Sequence, residues 1–116
     1  MQRTVSPHPG AATEETARLV DEALVAVRGP GGDVWTAISR LTARPDAPGL
    51  LVDRYRHARP AELRWALVFV AANLGRPGVI PLLIEASVRA ETGNGVEVSA
   101  ARLAAEALVT LVEQTV

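Results

Sequence analysis

Glu62-Leu63-Arg64-Trp65-Ala66-Leu67-Val68-Phe69-Val70-Ala71-Ala72-Asn73-Leu74-Gly75, then Arg76-Pro77-Gly78, then Val79-Ile80-Pro81-Leu82-Leu83-Ile84-Glu85-Ala86, decides how this chain is read. Leu63, Leu67, Val70 and Leu74 recur at i, i+4, i+7 and i+11, one stripe of a helix. Ala66, Val68, Phe69 and Ala71 make most of the remaining circumference apolar. A helix apolar nearly all round is buried on several sides, so this one is predicted to be central, with helices on both flanks. Pro60 suits its first position, Glu62 puts a negative charge at the positive end, and Gly75 closes it. A further helix, from Pro77 or Val79 to Glu91, carries its stripe on Ile80, Leu83, Ile84 and Val88, with Pro81 in the first turn where a missing N–H costs little.

On the N-terminal side, residues 1–12 contain Ser6-Pro7-His8-Pro9-Gly10 and read as a disordered N-terminal arm, leaving 13–116 as one helical domain. The first helix is expected from Glu14 to Val27, capped by Thr13, with Val20, Leu24 and Val27 inward; Gly29-Pro30-Gly31-Gly32 ends it. Asp33 caps a second helix, Val34 to Thr42, whose stripe is Val34, Ile38 and Leu41, widened by Trp35. Beyond Arg44-Pro45-Asp46-Ala47-Pro48-Gly49 a short third helix is predicted from Leu50 to Ala58, with Leu50, Leu51 and Tyr55 on one side. Thr92-Gly93-Asn94-Gly95 precedes the last helix, from Val96 or Ala100 to Glu113, capped by Asn94 or Ser99. Its broad apolar face is Leu103, Ala104, Ala107, Leu108, Leu111 and Val112.

At 116 residues the chain suits a single domain. Such a domain buries roughly 65% of its unfolded surface, enough for a core without staples. A formal charge of −1 selects neither nucleic acid nor an anionic membrane. Cysteine is absent, so disulfides and thiolate metal sites are excluded. Met1 to Ala12 has no apolar core of a signal peptide, and the apolar run Trp65 to Ala72 is far short of the ~20 residues that span a bilayer. A cytoplasmic protein with no membrane association is expected. All 12 basic residues are arginine, which with the abundance of Ala, Val and Gly looks like the codon usage of a GC-rich genome rather than a functional choice.

The chain repeats itself. Arg64-Trp65-Ala66-Leu67 and Arg102-Leu103-Ala104-Ala105 each open an alanine-rich helix, 38 positions apart; Leu82-Leu83-Ile84 echoes Leu50-Leu51-Val52, 32 positions earlier. Leu63 to Ala86 resembles the HEAT repeat, whose pattern is an arginine near the start of an alanine-rich helix, a Leu-Gly end, a short turn and Ile-Pro-x-Leu-Ile. The counterparts are Arg64, Ala71 and Ala72, Leu74-Gly75, Arg76-Pro77-Gly78 and Ile80-Pro81-Leu82-Leu83-Ile84. Asp33 to Ala58 looks like a degenerate preceding unit and the last helix like the first half of a following one. The turn lacks the aspartate usual in the family. The resemblance covers about two-thirds of the chain and implies an all-α fold, a short α-solenoid of about six helices in antiparallel hairpins. It also implies a non-catalytic protein-interaction module or adaptor. Repeat units need capped ends; the first helix would cap one end, and the other is expected to be under-covered, available to a partner or to a homodimer.

Chemistry-bearing sets are few. Arg54-Tyr55-Arg56-His57-Ala58-Arg59, with Arg64 a turn into the next helix, is the most basic cluster. Between positions 40 and 76 seven arginines face Asp46, Asp53 and Glu62, whereas from 77 onward Arg89 and Arg102 face five glutamates, so the molecule is expected to be electrically polar. Arg54, Tyr55, Arg56, Arg59 and Arg64 are therefore the predicted partner-binding residues, for an acidic protein partner; the bland reading is solvated arginines paired with neighbouring carboxylates. Nucleic acid is the second reading, poorly served by a single aromatic in the cluster. A third, an enzyme resembling the HEAT-like DNA glycosylases, ranks lowest because those need several more repeats than this chain holds; an inhibitor or immunity-type regulator of one enzyme is a fourth. His8 and His57 are the only histidines, with no second ligand at i+3 or i+4, so no metal is predicted. Asp53, Glu62 and Glu85 have no spacing that brings two together, and no nucleophile motif or phosphate loop is present, so no catalytic residue and no cofactor are expected. Trp35 and Trp65 are expected in the core, either being able to line a groove; Asn73, within the most apolar helix, is expected to be a buried amide bonded to a nearby turn carbonyl, the alternative being a groove amide that binds a peptide backbone.

Overall fold

The structure, a computed structural model, describes residues 9–29, 33–89 and 95–115. Among these the chain is all-helical, with six helices: α1 (Pro9–Arg28), α2 (Val34–Thr42), α3 (Ala47–His57), α4 (Ala61–Leu74), α5 (Ile80–Val88) and α6 (Gly95–Thr115); a 3-10 turn, Pro77–Val79, leads into α5. None of them is long and apolar enough to cross a membrane.

α1 begins at Pro9, five residues ahead of the expected Glu14. Proline fits the first helical position because its φ is preset and its missing N–H would be unpaired there anyway. The last four residues assigned to the arm thus belong to the helix, Thr13 is interior rather than a cap, and residues 1–8 lie outside the described residues. α2 has the expected bounds. Asp33 Oδ1 accepts from the Thr36 amide at 3.1 Å and Asp33 Oδ2 from the Thr36 hydroxyl at 2.5 Å. These bonds hold the Asp33 carboxyl below the usual carboxylate range. α3 starts at Ala47, three residues earlier than predicted, with Pro48 in its first turn. α6 starts at Gly95, so Ser99 is not its cap, while Asn94 lies outside the described residues.

α4 packs against α1, α2, α3, α5 and α6, the central position its composition predicts. Ala66, Leu67, Val68, Val70, Ala71 and Leu74 are buried. Burial is not all round, however: Glu62, Trp65, Phe69 and Asn73 form a stripe that reaches solvent. Gly75 closes the helix in the left-handed region at φ 68°, its amide donating to Ala71 O at 3.3 Å. A side chain there is strained whatever the space around it. Gly75→Ala is expected to cost about 1–2 kcal/mol. Gly49→Ala, at an exposed position in α3, is expected to add roughly 0.5–1 kcal/mol. Thermal unfolding of the two variants should show shifts of opposite sign.

The phase of α5 differs from the predicted one. Val79, Leu82, Leu83 and Ala86 are buried, Ile80 is half-buried, and Ile84 and Val88 are exposed. The preceding 3-10 turn, at about 120° per residue rather than 100°, carries Val79 inward and sets the helix on a different face. α6 buries Ala100, Ala101, Ala104 and Leu111; Val112, expected inward, is exposed.

Packing links helices two apart as well as neighbours. α1 meets α3, α3 meets α5, α2 meets α4 and α4 meets α6. Thr16 and Asp21 of α1 bond Asp46 and Arg54 around α3, both at 2.7 Å. At the far end of α3, Arg56 pairs with Glu85 of α5 at 2.8 Å. At its near end, Pro48 sits so close to Gly78 that a Cβ on Gly78 would lie 2.6 Å from Pro48 Cβ. Arg76 Nη1 reaches back to Arg44 O at 3.3 Å. The radius of gyration, 15.0 Å, exceeds the ~13 Å of a compact chain of this length, and the extents are 55 × 37 × 24 Å.

Candidate partner-binding surface

The chain has four aromatic side chains, and three of them stand in one row. Trp65 and Phe69 are four apart, so α4 stacks them on the same face one turn apart. Their ring centroids are 5.6 Å apart and the rings nearly parallel, at 29°. α2 packs against α4 and brings Trp35, from its first turn, to Phe69 with centroids at 6.0 Å and rings tilted by 46°. Such ring pairs contribute about 0.5–1.5 kcal/mol beyond area burial, which helps hold the row in place. Trp35 is 61% exposed, and Trp65 and Phe69 are half-buried. This overturns the expectation that Trp35 widens the buried stripe of α2. Trp35 neighbours Val34 in sequence but points about 100° away from it, out of the core and along the face of α4.

Trp65 also forms one wall of a pocket of about 630 Å³. Val27 and Arg28 at the end of α1, Glu62 at the start of α4, and Gly95, Val96 and Ser99 at the start of α6 complete it. An indole wall with one cation and one carboxylate suits a side chain or short peptide segment better than a free ion. A second concavity of about 540 Å³ lies between α1 and α2, and carries charges already engaged with one another. Arg18 pairs with Glu15 and Glu22, and Arg40 lies 3.7 Å from Glu22. The hydrogen bond and charge of Glu15, then the charge of Glu22, raise the pKa of Arg18. A third, about 210 Å³, runs between α4 and α6 beside Asn73. Asn73 is exposed rather than buried and donates to Phe69 O at 2.9 Å, a carbonyl of its own helix rather than the turn carbonyl expected.

The five arginine-cluster residues are dispersed by the fold. Arg54 turns to α1, where Asp21 accepts at 2.7 Å. Arg56 turns to α5 and Glu85, so the two guanidinium groups leave α3 in different directions. Arg64 donates to Ala58 O at 3.1 Å and to Arg59 O, tying down the α3–α4 turn. Tyr55 is 1% exposed, a core residue with the Arg89 guanidinium 5.4 Å from its ring centroid. It cannot meet a partner at the surface. Arg59 is exposed and makes no ion pair among the described residues. His57 is exposed, its Nδ1 2.8 Å from Asp53 O.

The aromatic row was missed in the sequence although a signal was there. Glu62, Trp65, Phe69 and Asn73 fall on one helical stripe, and its two polar ends mark that stripe as the solvent side. Compared with family models, curated proteins and solved structures, the chain matches none.

Proposed function

We propose that this chain is a short HEAT-like α-solenoid that works in the cytoplasm as a non-catalytic protein-interaction module. The packing supports the architecture. Along α1 and α3, Thr16 then Asp21 pair with Asp46 then Arg54; along α3 and α5, Pro48 then Arg56 meet Gly78 then Glu85. Along α2 and α4, Trp35 then Arg44 meet Phe69 then Arg76. Helices two apart therefore run the same way. Connections of three and four residues, 58–60 and 43–46, make neighbours reverse. Two layers, α1–α3–α5 and α2–α4–α6, are what stacked helical hairpins produce.

The observation that carries the function is the exposed Trp35–Phe69–Trp65 row. A tryptophan left 61% in water on an otherwise apolar platform is costly to solubility and is the side-chain type that dominates interface energies. The row and the adjoining pocket suit a protein partner that presents an apolar or aromatic side chain. Arg59 remains the member of the arginine cluster best placed to add a contact to an acidic rim.

Affinity capture with the wild-type chain, Trp35→Glu and Arg59→Glu tests this. Trp35→Glu should weaken retention of a bound protein by about tenfold or more, roughly 1.4 kcal/mol, with helicity unchanged because the site is at the surface. Arg59→Glu should have the smaller effect. Equal retention by wild type and Trp35→Glu, or recovery of nuclease-sensitive material alone, overturns the reading.

A further inference from the structure

The end of the molecule formed by α5 and α6 exposes a group of apolar side chains on its outside. Seven large apolar side chains are exposed among the described residues, and five of them lie here: Ile84, Val88, Val98, Val109 and Val112. On α6 their position results from helix geometry. Leu103, Glu106, Ala107 and Thr110 line the groove against α4. At about 100° per residue, Val98, Ala105 and Val112 fall on the opposite side, with Val109 beside them. Val98 is 42%, Val109 58% and Val112 54% exposed.

This stripe is symmetric about its own centre. Val98 and Val112 stand seven residues to either side of Ala105, whose small side chain permits close approach. One edge of the stripe carries Glu113 and, nearer its centre, Arg102 and Glu106, of which Glu106 also lines the groove against α4; all three are exposed, and neither Arg102 nor Glu106 makes an ion pair among the described residues. As an intrahelical pair they have the less favourable order, with the cation N-terminal to the carboxylate.

We propose that this end pairs with the same end of a second copy, α6 against α6, antiparallel about a twofold axis at Ala105. In that register Val98 of one copy meets Val112 of the other. An antiparallel twofold keeps like edges on the same side, so Arg102 of each copy comes alongside Glu106 of its mate, twice. The surface thus matches itself at its centre, alanine on alanine and arginine beside glutamate, the condition for an isologous interface. Five half-exposed branched side chains present on the order of 500 Å² of apolar area, at the upper end for a monomer patch. With the flanking Arg102 and Glu106 the face approaches the ~800 Å² per partner of a standard interface, which fits a reversible dimer. The inference does not depend on the aromatic row, which belongs to α2 and α4.

Sedimentation velocity across the micromolar range tests it. The wild-type chain should shift from monomer to dimer with concentration. Ala105→Glu places two carboxylates against each other at the axis and should raise the dissociation constant by at least about tenfold. Arg102→Glu alone should weaken the dimer, and Arg102→Glu with Glu106→Arg should restore it, a recovery that no folding defect produces. Val25→Glu, at an exposed apolar position on α1, should leave it unchanged. A wild-type chain that stays monomeric throughout, a dimer that survives Ala105→Glu, a charge swap that fails to recover, or a dimer lost in Val25→Glu overturns the proposal.

Discussion

Leu67→Ala is expected to lower the free energy of unfolding by about 3–4 kcal/mol. Leu67 is 1% exposed and sits on α4, which every other helix contacts. α4 is held by the five other helices, so no single shift is expected to close the space left by three carbon atoms. The expected loss is the transfer energy of those atoms plus a cavity term. In a domain whose total stability is about 5–15 kcal/mol this is a large fraction. Leu63, half-buried on the same stripe, is the internal control: Leu63→Ala should cost about half as much, because part of its surface is already in water. Urea unfolding gives both numbers. An unchanged slope would show that the helices still unfold together. A shallower slope would show that the central cavity uncouples the two ends, as stacked units allow. A loss below about 1 kcal/mol for Leu67→Ala would remove α4 from the centre of the energetics.

The elements were legible where the sequence carries punctuation. Gly75 in the left-handed region, Asp33 as a cap and the proline-glycine breaks put the ends of α2 and α4 and the C-terminal end of α1 within a residue of their predicted places. Facing was legible only where the stripe was narrow. In α2 the spacing Val34, Ile38, Leu41 was enough to place the face, with Ile38 and Leu41 buried and Val34 half-buried, whereas Trp35, added to that stripe, is exposed. Between Val79 and Ile84 five of six residues are large and apolar, so periodicity does not choose a face, and the phase was set instead by the 3-10 turn and by what α3 and α6 offered. Pro9 shows the same limit: a proline suits a break and a first helical residue equally, and the helix-forming residues after it decide.

The arginine cluster shows why a run of charges says little about a site. Consecutive residues on a helix point about 100° apart, so Arg54, Tyr55 and Arg56 cannot share a face. One reaches α1, one enters the core and one reaches α5. Exposed pairs of this kind contribute little to stability, typically about 0–1 kcal/mol. They do occupy the guanidinium groups that a partner would need. The aromatic row has the opposite logic. Trp65 and Phe69 come together through i, i+4 spacing, which can be read from sequence; Trp35 joins them only because α2 packs against α4, which cannot.

Thr16→Val should cost about 2–3 kcal/mol although it changes neither size nor shape. Thr16 is a fully buried polar side chain, at 0% exposure. Its hydroxyl donates to Asp46 Oδ1 at 2.7 Å and accepts from Arg44 Nε at 3.0 Å. Both partners are ionised, and hydrogen bonds to charged groups contribute about 1.5–3 kcal/mol each before the apolar gain of a methyl is subtracted. Valine would leave a carboxylate and a guanidinium facing a methyl group. The bond network also fastens α1 to the short connection 43–46, and Arg76 extends the tie by donating to Arg44 O. Loss should therefore exceed that of Thr16→Ser, which keeps the hydroxyl and gives up only a methyl, about 1 kcal/mol. A double-mutant cycle with Asp46→Asn separates the two effects. If the hydroxyl acts through Asp46, the double variant should be less destabilised than the sum of the singles by about 1 kcal/mol or more. Strict additivity, or a Thr16→Val variant as stable as the parent, would mean that the buried hydroxyl is matched equally well by packing alone.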